Sequence, residues 1–353
     1  DAIKSLNVAE AQQIKSFKIL IIDSFLLCLI ASILYIYPFS VLTLCTLQVI
    51  IRAVTINLFL KIGSSELINT RGILAYKVKF IEIKELVYAN WAFVVIGSIS
   101  LLYWRSAQII VSKLLTLTDV AVYGISYKIF QIALIIPLIV SSTVYPSLVR
   151  KYNPDNLAEL KGYYQNVFFF YFSYGLMAFT FVYSFADLIV PLIFGDTYQN
   201  AALYTKLMFL TLLIFPTAIL QANLLVAMKL ERFDMIFNIA SLVLYLLFCF
   251  VGLYYVKSMK VIVYSVFLSF MIFHILQDIL LIRKGVSSFR HTAMFYGLSA
   301  SCIALYFILF KLVNSYVSFF ILWLIVSGCI VAFIPKANRF VMNKLFRKAS
   351  ATV

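Results

Sequence analysis

A chain of 353 residues that is 64% hydrophobic and 12% charged, with a mean hydropathy of +1.01, falls outside the soluble globular class, where about 25% of residues are charged. Its formal net charge of +15 is a signal of orientation in a bilayer and of affinity for anionic lipid, and implies no nucleic-acid partner. The five cysteines, Cys28, Cys45, Cys249, Cys302 and Cys329, all lie in apolar segments without the spacing of a disulfide framework or a CxxC metal site, so no metal is expected.

The chain begins Asp1-Ala2-Ile3-Lys4, without Met and without a basic start leading into a cleavable apolar core; the expectation is that an upstream part is missing. Ten segments are long and apolar enough to cross a bilayer as helices, which takes about 20 residues. The first two, Phe17 to Tyr37 and Val41 to Leu60, are separated by Pro38-Phe39-Ser40, where proline blocks helix continuation. A linker from Lys61 to Leu86 interleaves Lys77, Lys79 and Lys84 with apolar residues and predicts an amphipathic piece on the membrane surface. Two long segments follow between Val87 and Tyr152, joined by a tight link at Thr118-Asp119-Val120-Ala121.

The fifth span is expected over Val167 to Phe185, with an interfacial bend in the Asp187 to Gly195 tail, where Pro191 and Gly195 sit. The remaining spans are Leu203 to Met228, Met235 to Val256, Val261 to Ile282, Met294 to Val313, and Tyr316 to Ile334, before a basic tail over 336–353. Basic residues support this count. With the N-terminus inside, Lys113, Lys206, Lys257, Lys260 and Lys311 fall outside, Arg52, Arg105 and Lys128 lie at depth, and all the others fall on the inner side. Both visible ends are therefore expected to be cytoplasmic.

Polar groups at membrane depth mark candidate sites, because a charge there costs roughly 2.5 kcal/mol or more unless it meets protein or a wet cavity. At about 100° per residue, Ser98, Arg105, Gln108 and Ser112 share one face of the third span, and Gly124, Lys128, Gln131 and Ser142 share one face of the fourth. Two such stripes on neighbouring helices predict a shared hydrated cavity; the alternative for Lys128 is a side chain reaching back to the interface. Asp23 and Arg52 fall at similar depth and form either a structural ion pair or an element of ion coupling. Pro216, Thr217, Gln221 and Asn223 gather in the sixth span as in a broken transporter helix. His274 and Asp278, four residues apart, read as an interfacial pair near Arg283 and Lys284. No nucleophile triad, HExxH motif or paired carboxylates appear in the spans, so an enzyme is not expected.

The run Gln108-Ile109-Ile110-Val111-Ser112-Lys113-Leu114-Leu115, then Asp119-Val120-Ala121-Val122-Tyr123-Gly124-Ile125-Ser126-Tyr127-Lys128-Ile129, then Ile136-Pro137 and Tyr145-Pro146-Ser147-Leu148, resembles the Wzx-type O-antigen flippases of the multidrug/oligosaccharidyl-lipid/polysaccharide exporter superfamily. A second match lies at Leu192-Ile193-Phe194-Gly195-Asp196-Thr197-Tyr198-Gln199-Asn200-Ala201. The resemblance spans about Val87 to Tyr255. It departs from the family at Ala107, where an acidic residue is usual, and in showing ten spans where relatives have twelve to fourteen.

The resemblance implies an all-α, MATE-like transporter of two helical bundles, with residues 1–60 the remnant of the N-terminal bundle, 61–86 a cytoplasmic linker, 87–335 the C-terminal bundle and 336–353 a cytoplasmic tail. It further implies a multi-pass protein of the bacterial inner membrane that exchanges access between its two faces and turns over an undecaprenyl-pyrophosphate-linked oligosaccharide for O-antigen, lipopolysaccharide or other surface glycan, alongside membrane lipids and other polysaccharide-assembly proteins. The cations Arg105, Arg52 and Lys128 suit the pyrophosphate. Gln108, Gln131, Gln221, Asn223, Tyr103, Trp104 and Tyr127 suit the sugars. No cofactor is expected, and the choice between proton and sodium coupling stays open. The runner-up is an organic-cation antiporter of the same fold, ranked lower because the deep charges are mostly positive; a glycan polymerase or ligase would be expected to carry a long external loop.

Overall fold

The computed structural model describes residues 7, 13–37, 40–61, 79–313 and 315–333. Within them the chain is all helix and turn: α1 Gln13–Ile36, α2 Val41–Lys61, α3 Phe80–Leu114, α4 Leu117–Lys151, α5 Ala158–Phe194, α6 Ala201–Met208, α7 Phe215–Ala227, α8 Glu231–Tyr255, α9 Met259–Arg283, α10 Phe289–Leu312 and α11 Ser315–Phe333. Nine spans among the described residues are long and apolar enough to cross a bilayer, α6 and α7 together making one of them, and a shorter apolar stretch, Tyr316–Gly328, lies in α11. The helical architecture expected from composition is what forms, because helices satisfy every backbone polar group where lipid cannot.

Two compact units divide at Ala89, within α3. In the first, α1 packs on α2, and the buried Asp23 carboxylate accepts from Arg52 Nη1 at 3.0 Å and from Thr55 Oγ1 at 2.7 Å. Lys77 and most of the expected surface linker lie outside the described residues, as does the basic tail over 336–353. Lys84 and its apolar neighbours Ile81 and Ile83 are no separate amphipathic piece: they form the first turns of α3, in one continuous helix.

The second unit is built on α4, α5, α7 and α9, whose inner faces supply Phe130, Leu148, Tyr164, Phe179, Leu220, Leu224 and Leu281 to one core. The tight link between the long segments comes earlier than expected. Thr116 caps α4, its hydroxyl accepting from the Asp119 N–H while the Asp119 carboxylate accepts from the Thr116 N–H, so Asp119 belongs to the first helical turn.

α5 departs from expectation more. Its 37 residues run unbroken through Pro191, a length of about 56 Å, and the chain bends only at Gly195, whose φ of +87° suits a residue without Cβ. The expected interfacial tail is thus the last part of the helix. Its buried face begins at Leu160 and Tyr164, well before the apolar run, so packing extends the helix past what hydropathy marks.

The sixth span is broken, as its proline and polar residues predict. α6 ends at Met208, a 3-10 turn covers Thr211–Leu213, and α7 restarts with Pro216 in its first turn. α5 closes on this break at Gly175, where an added Cβ would lie 2.5 Å from the Leu212 carbonyl oxygen.

Candidate functional site

Where α3 meets α4 among the described residues, the contact is made by an aromatic side chain of α3, and the polar stripe residues are exposed. Trp104 packs on Tyr127 and Phe130 of α4 with ring centroids at 5.6 and 5.4 Å, so three bulky rings meet between the two helices. Arg105, Gln108, Lys128 and Gln131 instead lie exposed on the second unit's surface. Arg105 stands about 14 Å from the end of α3 and Lys128 about 16 Å from the start of α4, at 1.5 Å per residue. Neither has an ion-pair partner among the described residues. The half-buried Tyr127 stands under the influence of both stripes, with Gln131 of its own helix and Arg105 of α3 acting on its hydroxyl. Lys128 also borders an open hollow of about 400 Å³ with Gly124, Phe194 and Tyr198.

A separate cavity of about 190 Å³ lies on the other side of α3, walled by Ser100, Tyr103 and Trp104, by Phe215 and Asn223 of α7, by Asp234, Asn238 and Ser241 of α8, and by Phe270 and Phe273 of α9. Helical phase explains the separation: Trp104 and Arg105 are consecutive, so their side chains diverge by about 100°. Asn223 is held there by Ser141 Oγ at 2.5 Å, and the buried Tyr103 hydroxyl bonds to Ser269. The sugar candidates are therefore divided. Gln108 and Gln131 lie on the exposed stripes, whereas Asn223, Tyr103 and Trp104 line this cavity.

Gln221 belongs to neither surface. It is fully buried, its Nε2 donating to Asp278 Oδ1 at 2.7 Å and to the Tyr164 hydroxyl at 3.3 Å. The same carboxylate accepts from Tyr296 at 3.1 Å, and His274 Nδ1 lies 3.2 Å from it while Nε2 bonds with Thr217 at 3.0 Å. His274 and Asp278 are 0% and 4% exposed, so this is an interior cluster where an interfacial pair was expected. Helices α5, α7 and α10 close around α9 here, covering what single-helix position placed near the surface.

Sequence reasoning missed Asp234. Adjacent to Met235, where the seventh span is expected to begin, it reads as a boundary residue, yet it is 2% exposed. Its Oδ1 accepts from Gln277 Nε2 at 3.1 Å and its Oδ2 from Asn238 Nδ2 at 3.2 Å. The signal available was the spacing Asp234 to Asn238, an i,i+4 polar pair carried into an apolar helix. Among the described residues the second unit thus holds two buried carboxylates, and the sequence-level picture of mostly positive deep charge is corrected to that extent. The first unit keeps its own polar feature, the Asp23–Arg52 pair with Thr55. Among the described residues no three His, Cys, Asp or Glu side chains form a metal-binding group.

No protein-family profile matches the chain, and no curated protein matches it. Among solved structures, a crystal structure of MATE in the bent conformation aligns with a TM-score of 0.62 at 13% identity, over 84% of this chain and 66% of that one. The likeness establishes the fold: this chain has the helical architecture of a MATE transporter and spans just under two thirds of that protein's length.

Proposed function

We propose that the chain is part of a membrane transporter that turns a lipid-linked anionic oligosaccharide across the bacterial inner membrane by alternating access. The observation that carries the proposal is the pair of exposed cations, Arg105 and Lys128, standing mid-span without carboxylate partners among the described residues. A cation held in an apolar span is costly unless an anion or water meets it, and a guanidinium offers a pyrophosphate two parallel donors. Gln108, Gln131 and Tyr127 supply the neutral donors and the ring face that sugar hydroxyls and pyranose edges take. The MATE-like fold supports a rocking mechanism around such a surface.

A second reading, a transporter of organic cations, is favoured by one observation: the Asp234 cavity combines a carboxylate with the rings of Tyr103, Trp104 and Phe270, and aromatic faces attract ammonium groups. The two separate in a strain deleted for its own flippase. Expressed with its full coding sequence, the protein is expected to restore surface glycan on immunoblots, and Arg105→Ala and Lys128→Ala are expected to abolish or sharply reduce it at equal membrane abundance. Glycan undiminished in both variants overturns the cationic headgroup site. Restored drug resistance without glycan would support the second reading in its place.

A further inference from the structure

We infer that the hollow beside Lys128 is a binding site for an anionic phospholipid of the bilayer, whose phosphodiester is the counter-ion of that lysine when no cargo is present. The hollow is built into the fold. Ala121, Gly124, Ile125 and Lys128, three and four residues apart, share one face of α4, and Phe194 and Tyr198 close it from the other side. The bend at Gly195 sets Tyr198, the last residue of a 3-10 turn, beside Phe194 at the end of α5. Gly124 keeps the space open: a Cβ there would meet nothing within 4 Å. The result is a hollow of about 400 Å³ whose walls are apolar apart from the Lys128 ammonium and the Tyr198 hydroxyl.

Charge and depth select the occupant. None of the carboxylates on the elements that form the hollow neutralises Lys128 among the described residues. Asp119 accepts from the Thr116 N–H and hydroxyl, Glu159 pairs with Lys151, Asp187 pairs with Lys206, and Asp196 forms no ion pair. An ammonium in an apolar span is costly unless an anion or water meets it. The 35 residues of α4 extend about 52 Å, against about 30 Å of hydrocarbon. With the helix centred in the bilayer, Lys128, about 16 Å from its start, lies about 5 Å inside the hydrocarbon boundary, and its four-carbon stem reaches the phosphate level. A lone ammonium matches the single charge of a phosphodiester, and the Tyr198 hydroxyl supplies a second donor. The apolar walls suit the glycerol-linked end of an acyl chain, which inorganic phosphate does not have. A zwitterionic lipid brings its own cation, which competes with Lys128 for the phosphate, so the head is of the phosphatidylglycerol class.

The inference goes beyond the transporter reading, since it concerns the protein without cargo. The test is native mass spectrometry of the protein expressed from its full coding sequence, delipidated in detergent and titrated with phosphatidylglycerol or phosphatidylcholine. Wild type is expected to hold one phosphatidylglycerol more tightly than it holds phosphatidylcholine. Lys128→Ala is expected to weaken that retention about fivefold, the effect of one basic residue on an anionic lipid, and Lys128→Arg to preserve it. Gly124→Leu fills the hollow while leaving the charge and is expected to weaken retention as well, whereas Lys113→Ala, outside the hollow, is expected to keep it. Retention unchanged in Lys128→Ala or in Gly124→Leu overturns the proposal. So does equal retention of the two lipids, or displacement of the bound lipid by inorganic phosphate, which would make this a site for a soluble anion. Monodisperse elution of each variant at the wild-type volume excludes misfolding as the cause. The measurement involves no cargo, so its failure leaves the flippase reading standing, and a failure to restore surface glycan does not touch the lipid site.

Discussion

At the scale of single residues, the membrane spans separate charges that are paired from charges that are not. Asp23 is buried while the Arg52 side chain that meets it is 63% exposed, so the pair is asymmetric: the carboxylate depends on the arginine more than the reverse. Removing one partner of a buried pair leaves an uncompensated charge, which costs more than the pair contributes. Arg52→Ala is therefore expected to lower the melting temperature of the detergent-solubilised protein, and Asp23→Asn in the same chain to recover part of the loss, since the amide needs no cation and Thr55 still has an oxygen to donate to. Two losses that simply add would show that the residues are energetically independent. Arg105 and Lys128 differ because nothing among the described residues neutralises them, which is why they, and not Arg52, carry the proposed headgroup contact.

At the scale of elements, the broken α6–α7 span is packed backbone to backbone against α5. Gly175 of α5 lies against the carbonyls of Leu212 and Leu213 in the 3-10 turn, where the helix has released its own hydrogen bonding and backbone must face backbone. Gly175→Ala is expected to destabilise the fold by about 1–3 kcal/mol, the cost of overpacking a filled site, read as a lower melting temperature. The same change at Gly124, where an added Cβ meets nothing within 4 Å, is expected to leave it unchanged. The break also frees α7 to present successive polar residues in different directions: Thr217 and Gln221 go inward to His274 and Asp278, and Asn223 goes to Ser141 beside the cavity.

At the scale of the whole molecule, the basic residues and the helix order make a joint statement about orientation. With cysteines introduced singly into a cysteine-free background, positions 113, 206 and 257 are expected to react with an impermeant maleimide added outside intact cells, and positions 151, 229 and 284 only after permeabilisation. A reversed pattern at any adjacent pair would break the proposed topology. The alternation itself was legible in the sequence because hydrophobic length and basic loops are local properties, additive along the chain.

Local properties thus determined the class, the helices and the break near Pro216, and they placed Arg105, Gln108, Lys128 and Gln131 on two shared stripes. They also flagged Asp23 with Arg52, a pair whose members lie at matching depths of successive helices and bond in the structure. Tertiary structure decided what each stripe faces. Trp104 packs on rings of α4 between the two stripe-bearing helices, Gln221 and His274 turn inward, and Asp234, which reads as the edge of a span, becomes a buried carboxylate on a cavity wall. The physical reason is that a helix's own periodicity tells which side chains share a face, whereas the occupant opposite that face comes from residues tens of positions away, and only their packing says whether it is lipid, water or another ring.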